Sequence, residues 1–530
     1  MQHRSTLGVA GLVLLASCAG SAPPAGPSPA LLPVRADELR RDLAVFASDS
    51  FAGRETGTPA ATRAARFLVD RITSLGLEPA GDSLYLQRVP LVKQGFGPAT
   101  RVAVSQGQST SPLRLGNDIA PWVNLGAGVP LPRRNAEGDI FFAGYGMNML
   151  GREDFKGLTT AGKVIVMLHA APPSITDSAT RKRLESQDEL NQRLVRALQM
   201  QPVAIILLMT GGTSDFYSMI TPELLRSVSQ APGDQSTSDA QRPLPMILLG
   251  LARPGSLLLP PNWPTDDGPQ TLTGRRFIAH LDVQLQPFTA YNVAGIVRGS
   301  DPRLNKTYVA FGAHYDHVGI QAGMSPDSIA NGADDDGSGS VTLLAVAKSM
   351  MAARPRRSAL FVWHVGEEKG LLGSAYFTEH PTVPIDSIVA QLNADMIGRN
   401  AGAEASFDSR VSGASAVNRL FVVGPNAAPN GQSRVLGVML DSVNARQVRP
   451  FQLDHEWDTT THPEKIYERS DHYNYARKGI PILFFTTGLH EDYHKVSDDV
   501  RKIDFDKMAR VGSLLLELGV TVANRVTRPR

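Results

Sequence analysis

The sequence predicts an α/β protein in which a mainly parallel central sheet is flanked by helices and interrupted by an inserted, β-rich domain. Three observations lead there. After Asn292, apolar segments alternate with helical ones, TYVAFGAH, GSVTLLAVAKSMMAA, SALFVWHV, SIVAQLNADM and IPILFFTT, the pattern of a parallel sheet covered by helices. Residues 112–274 instead carry short β-like runs, DIFFAGYG, KVIVMLHA, VAIILLM and PMILLG, between loops rich in Pro, Gly, Ser and Asp, the texture of a separate unit. At 530 residues the chain exceeds what one hydrophobic core holds.

The elements follow in order. His3 and Arg4 precede an apolar run, Leu7 to Ala16, too short to span a bilayer, so residues 1–17 read as a signal peptide. The run ends Leu15-Ala16-Ser17-Cys18, which resembles the bacterial lipobox, in which the Cys becomes the lipidated first residue. Residues 18–33, opened by AGSAPPAGPSPA after Cys18, then serve as a flexible tether. An exported protein anchored to the membrane through lipidated Cys18 is expected, at the outer membrane if the host is Gram-negative. Cys18 is the only Cys, so no intrachain disulfide is available and the fold rests on core packing. A formal charge of +2, from 53 basic and 51 acidic residues with no basic stripe, argues against nucleic acid as a partner.

From Asp37 the spacing turns helical, at ADELRRDLAVFAS and again at PAATRAARFLVDRITSLGL, where Gly76 is a plausible C-cap. These helices and the alternating segments after the insertion give one main domain from residues 34–111 and 275–530. Its last segment, DKMARVGSLLLELGVTVAN, has the spacing of a final covering helix.

In open α/β sheets ligands collect beyond the carboxyl ends of the strands. The first such end reads Ala313-His314-Tyr315-Asp316, where strand alternation puts His314 and Asp316 on one side. The next loop, NGADDDGSGS, sets Asp334, Asp335 and Asp336 in a row, costly without a cation and more than a helix N-cap requires. Glu367 and Glu368 end the next strand; one can ligate a metal while the other acts as general base. Asp395 closes an almost wholly apolar run and needs a partner. His490 and His494 follow the last strand. A carboxylate-rich set with imidazoles suits zinc or a similar divalent ion, and metal-assisted hydrolysis is the reaction class.

The ordered motifs AHYDHVG, NGADDDGSGS, GEEKGLLGS, NADMIG and YHKVSDD resemble those of the co-catalytic zinc aminopeptidases, a superfamily that includes bacterial leucyl aminopeptidases, glutamate carboxypeptidase II and glutaminyl cyclases. The resemblance implies a zinc exopeptidase fold with two Zn2+ ions, one held by His314 and Asp395, the other by Glu368 and His494, with Asp335 as the bridge. It implies Glu367 as general base, Asp316 as the residue orienting His314, and peptides with a free N-terminus as substrates. His490 matches no ligand of that pattern. Ser470-Asp471-His472 resembles a stretch near the substrate pocket, and a helix-start capping segment is the equal alternative. Residues 112–274 resemble a protease-associated domain. A related carboxypeptidase or glutaminyl cyclase, and a non-catalytic binding relative, are the competing readings; the last predicts eroded ligands, and none is eroded here.

Overall fold

The computed structural model describes residues 31–529 apart from 123–133, 157–159, 215–216, 218–223, 226, 231–243, 266, 322–326, 401–413 and 463. The expected leader and Cys18 lie outside the described residues. Among those described, no helix is long and apolar enough to cross a membrane.

Two helices open the fold, as the spacing predicts. Helix α1 (Ala36–Phe46) buries Leu39, Leu43 and Phe46 on one stripe. Helix α2 (Pro59–Leu75) begins with the Thr58 hydroxyl accepting the Ala61 N–H and with Pro59 at its first position, and it ends at Gly76, whose φ of 80° is the left-handed C-cap conformation.

The main sheet contains β1 (Leu86–Phe96), β2 (Val283–Val297), β3 (Tyr308–His314), β4 (Ser358–His364), β5 (Ile388–Ala394), β6 (Arg419–Val423), β7 (Gln452–Asp454) and β8 (Ile482–Thr486), in the spatial order β7-β6-β8-β5-β3-β4-β2-β1. Val228–Gln230 adds an edge strand beside β1, and Glu78–Pro79 pairs with β2. The sheet is not mainly parallel, as expected, but mixed. Strands β4, β3, β5 and β8 form the parallel centre, whereas β2 runs antiparallel to both β4 and β1, and β6 antiparallel to β8. The reason lies in the connections: parallel neighbours need a crossover, whereas the chain between β1 and β2 passes through the second sheet and returns as an antiparallel partner.

Strands β3, β4 and β5 are buried along their whole length. Val309, Phe311 and Ala313 face a core shared with α1, α2, α3 (Gly339–Ala353) and α6 (Phe505–Asn524). Tyr308 and Ala310 face the opposite core, with Phe377 from α4 (Leu372–Glu379) and Tyr475 from α5 (His472–Arg477). Helix α6 approaches β3 so closely that a Cβ at Gly519 would stand 2.3 Å from the Phe311 ring, which accounts for glycine there.

The second sheet runs in the order Ser109–Pro112, Arg101–Gln106, Gln270–His280, Asn135–Phe142, Val164–His169, Ala204–Met209, Met246–Leu251, Ile119–Pro121. The four runs read from the sequence are its four mutually parallel strands. Its limits, Arg101 to His280, lie outside the expected 112–274, because Arg101–Gln106 pairs with Arg275–His280 inside this sheet. The unit also carries helices at Ser178–Leu184 and Gln187–Gln199.

Candidate metal centre

Because β3, β4, β5 and β8 are parallel, the residues that follow them emerge along one edge of the sheet. His314 ends β3, level with His364 at the end of β4; Glu367 and Glu368 come just after β4, Asp395 directly after β5, and His490 and His494 in the loop after β8. The local backbone turns these residues inward. Gly366 and Gly488 take positive φ, and so do the non-glycine residues Met396 (56°) and His494 (58°).

The three consecutive aspartates point three ways. Asp334 accepts the Gly398 N–H at 2.6 Å, and its other oxygen faces His490 Nε2 at 3.2 Å. Asp336 accepts the N–H groups of His314 (3.1 Å), Gly339 (2.9 Å) and Met396 (3.3 Å), tying β3 to α3 and to the turn after β5. Asp335 reaches His314 and His494: its Oδ1 lies 3.2 Å from His314 Nε2 and its Oδ2 3.3 Å from His494 Nε2. The turn is held from behind by Asp498, which accepts the N–H groups of Asp334 and Asp335. His490, which follows no ligand pattern in the sequence, supports Asp334 in this scaffold.

Two donor groups share Asp335. One is His314, Asp335 and Asp395; the other is His317, Asp335 and Glu368, the donor atoms of each lying within 4.8 Å of one another. His314 Nε2 is 3.5 Å from Asp395 Oδ1 and 3.9 Å from Glu367 Oε2. His494 Nε2 is 2.9 Å from Glu368 Oε2, and His317 Nδ1 is 2.7 Å from Glu368 Oε1. Asp335 Oδ2, Asp395 Oδ1 and His494 Nε2 are buried without a hydrogen-bond partner. Buried carboxylate oxygens and ring nitrogens left unpaired at one point are what a divalent cation satisfies, so the residues fit such ions.

Charge compensation shapes the metal-free centre. Burial disfavours a proton on His314, but Glu367, Asp395 and Asp335 outweigh it and hold the imidazole well above its usual range. His494, likewise opposed by burial, is raised to about 10 by Glu368 and Asp335. Burial would protonate Asp335, yet the facing imidazoles of His314 and His494 keep it well below the carboxylate range. Glu368, pushed up by burial and by Asp335, is brought to about 2 by His494 and His317. Glu367 moves the opposite way, well upward, chiefly through burial, with His314 opposing and Asp395 and Glu368 adding to it.

Asp316 does not hold His314 as the strand geometry suggests. His314 Nδ1 lies 3.1 Å from the backbone carbonyl of Asp316 and 3.8 Å from its carboxylate. The carboxylate instead accepts the Glu367 N–H (3.2 Å) and the Thr56 hydroxyl (2.8 Å). Ser470 donates to Asp395 Oδ2 at 2.8 Å and accepts from Asn393 at 2.9 Å, which gives that segment a supporting role at the centre. Asp471 makes no side-chain cap to α5, and its carboxyl is raised to about 7, first by burial. His472 stacks on Phe484 with ring centroids 4.5 Å apart.

Three contributors were not singled out from the sequence. His317 is one position of the AHYDHVG motif. Thr56 carried no signal. Arg54 is fully buried and donates to the backbone carbonyls of Tyr315 (2.8 Å), Asn331 (2.6 Å), Gly332 (2.8 Å) and Phe46 (3.2 Å), so one guanidinium joins the His314 loop to the Asp turn. Burial lowers its pKa to about 10 despite the attraction of Asp335 and Asp498.

A cavity opens beside the centre, reaching Asp335, Glu367 and Asp395, with walls that include Met396, Trp457, Ile466, Phe484 and Leu489.

Known proteins resemble this chain in sequence and in fold. A probable zinc metalloprotease of Pyrenophora teres f. teres is 26% identical over 274 residues, 46% of this chain and 54% of the relative. A probable leucine aminopeptidase of Trichophyton verrucosum is 26% identical over 237 residues, 43% of this chain and 57% of the relative. The chain thus spans little more than half the length of these curated relatives. In fold it is similar to the aminopeptidase from Aneurinibacillus sp. strain AM-1, with a TM-score of 0.55 and 17% identity over 94% of this chain and 96% of that one. A zinc aminopeptidase from Bacillus subtilis gives a TM-score of 0.53 at 17% identity, over 93% and 96% of the two chains. Residues 292–519, the stretch that contains the candidate metal-ligating residues, match the model of Peptidase family M28.

Proposed function

We propose that this chain is an aminopeptidase that binds two zinc ions and removes N-terminal residues from peptides, with Glu367 as general base. The observation that carries the reading is the placement of Glu367: its carboxylate is buried, stands 3.9 Å from His314 Nε2, and opens into the same cavity as Asp335 and Asp395. The family match and the zinc aminopeptidase fold neighbours support it.

In this reading His314 and Asp395 would hold one ion, Glu368 and His494 the other, and Asp335 would be shared between them. Zinc there would polarise the scissile carbonyl and make water a stronger nucleophile near neutral pH. Glu367 takes the proton of the attacking water on its carboxylate and returns it to the departing amine. Asp316 fixes the backbone of Glu367, so the base keeps its direction without a long flexible approach. The carboxylates lining the cavity attract the substrate's free ammonium, and the walls of Trp457, Ile466, Phe484 and Leu489 suit an apolar first side chain.

The same reading takes residues 1–17 as a signal peptide and Cys18 as a lipidated anchor in the cell envelope, supported by the Leu15-Ala16-Ser17-Cys18 sequence. It takes the second sheet as a protease-associated domain bordering substrate access, supported by the position of every proposed ligand outside Arg101–His280. The test is a purified-enzyme assay on amino-acid p-nitroanilides, N-acetylated counterparts and an N-terminal Gln peptide, with zinc measured in parallel. Free-amine substrates should be cleaved and blocked ones left intact; cyclisation of the Gln peptide in place of cleavage would overturn the proposal.

A further inference from the structure

We propose that His317 is a fourth protein ligand of the second metal position, which closes that position and leaves the one held by His314, Asp335 and Asp395 open toward Glu367. The inference rests on the two-zinc reading above and goes beyond it by giving the two positions different work.

Donor atoms of four residues surround the second position, with a different oxygen of Glu368 facing each imidazole. His317 Nδ1 is 2.7 Å from Glu368 Oε1 and 3.7 Å from Asp335 Oδ2; His494 Nε2 is 2.9 Å from Glu368 Oε2 and 3.3 Å from Asp335 Oδ2. Tetrahedral zinc with nitrogen and oxygen ligands at its usual bond lengths sets neighbouring donors about 3.3 Å apart. The four separations fall on either side of that value, so each imidazole stands near the spacing at which it would share an ion with Glu368 and Asp335. Two imidazoles and two carboxylates are also a donor set that zinc favours.

The ring is built into this place. His317 is fully buried and packs edge-on against His494, with centroids 5.8 Å apart. Its Nε2 has no hydrogen-bond partner, so Nδ1 is the nitrogen committed to the cluster. Behind the ring lies Gly332, at φ 56°, where a Cβ would stand 2.5 Å from His317 Cγ and Cδ2; the Asp-rich turn is packed directly on the imidazole. The sequence Asp316-His317 therefore sends alternate side chains to different tasks: Asp316 to the backbone of Glu367, His317 to Glu368.

The first position differs. His314, Asp335 and Asp395 supply three donors, and the cavity reaches it past Asp335, Asp395 and Glu367. Zinc sites with four protein ligands are closed and structural in character, whereas three-ligand sites keep a side free for chemistry. The second ion thus anchors Asp335 and Glu368, and the first faces substrate.

Metal-depleted full-length protein titrated with zinc in a calorimeter decides this, with cobalt(II) absorption as a second readout. Wild type should show two binding events. His317→Asn should weaken one of them by more than about 100-fold, beyond the usual effect of losing a residue that merely supports a ligand, and should change the cobalt spectrum of that site while leaving the other event intact. Asn can still donate a hydrogen bond to Glu368 but is a poor zinc ligand. If His317→Asn therefore binds both ions with near wild-type affinity and spectrum, His317 only orients Glu368 and the proposal is overturned. His317→Gln, compared by circular dichroism and melting in the metal-free state, decides the point should the Asn variant misfold. Wild type that takes up no zinc would overturn the two-zinc reading itself, a result distinct from unchanged binding in the variants.

Discussion

The carboxylate of Asp316 accepts the backbone N–H of Glu367 at 3.2 Å and the hydroxyl of Thr56 at 2.8 Å. It thereby links the end of β3 to the segment after β4 and sets the direction from which the base enters the cavity. Asp316→Asn turns an acceptor into a group whose amide nitrogen confronts one of those donors. Since partners one step removed from a metal or base commonly contribute 10–100-fold, activity should fall by about that factor. Steady-state kinetics with zinc content measured alongside checks this; wild-type kcat/KM in Asp316→Asn would show that the contact is not needed.

Glu367 and Glu368 are neighbours with different surroundings. Glu368 lies between two imidazoles, at 2.7 Å and 2.9 Å, whereas Glu367 faces His314 Nε2 at the longer distance of 3.9 Å. Glu367→Gln should lower kcat by roughly 10²–10⁴-fold with bound zinc retained. Glu368→Gln should lose metal from one position first and be partly rescued by added zinc. Zinc loss from Glu367→Gln with retention in Glu368→Gln would reverse the roles.

Zinc uptake should release protons. In the metal-free chain His314 is held well above its usual range and His494 at about 10, so both carry protons at neutral pH, while Glu368, at about 2, is already ionised. Imidazole must lose its proton to ligate, so affinity should rise with pH between 6 and 8, by about tenfold per pH unit for each proton released. Calorimetry in buffers of different ionisation enthalpy counts those protons; none released would mean that the histidines are neutral or do not ligate.

The strand ends were legible because they are local. His314, Glu367 and Asp395 each close an apolar run, and parallel strands bring such ends to one edge. The mixed order of the sheet was less legible, since nothing in β1 or β2 records that the intervening chain returns antiparallel. Arg54 was not legible at all: its carbonyl acceptors Tyr315 and Gly332 are 261 and 278 residues away, and a lone Arg between two helices looks like any surface cation. His317 was in view but ambiguous, because H-x-D-H spacing does not say which nitrogen meets which carboxylate.

Arg54 makes a stability prediction. Arg54→Met keeps much of the apolar stem but removes donors from four carbonyls, of which those of Tyr315, Asn331 and Gly332 flank the ligand-bearing loops. Losing partners for buried groups costs about 1–3 kcal/mol each, so denaturation should reveal a loss of about 3 kcal/mol or more. Zinc affinity should weaken with it. An unchanged denaturation midpoint would mean that water replaces the guanidinium.

The sharpest test of the domain reading uses the register of β1 against β2. Phe96 is the Cα partner of Val283, and the Gly97 N–H bonds to the Asp282 carbonyl at 2.7 Å, so the two points where the chain leaves and re-enters the main sheet are neighbours in one antiparallel ladder. A two-residue Asn-Gly turn matches the twist of such a pair and can replace residues 98–281. A cut at 112 and 274 would instead leave Arg101–Gln106 paired with Arg275–His280 but without the remainder of their sheet. Every proposed ligand lies outside the deleted segment, so the shortened protein should fold and bind zinc as the full chain does, with a changed preference among peptide substrates. Its cost is local: removal of Val228–Gln230 leaves β1 as an open edge, and concentration-dependent association is the expected side effect. Zinc content, circular dichroism and a peptide panel measured together decide it. A folded core without zinc would place a ligand inside the second sheet, and an unfolded one would mean that the second sheet completes the core of the first.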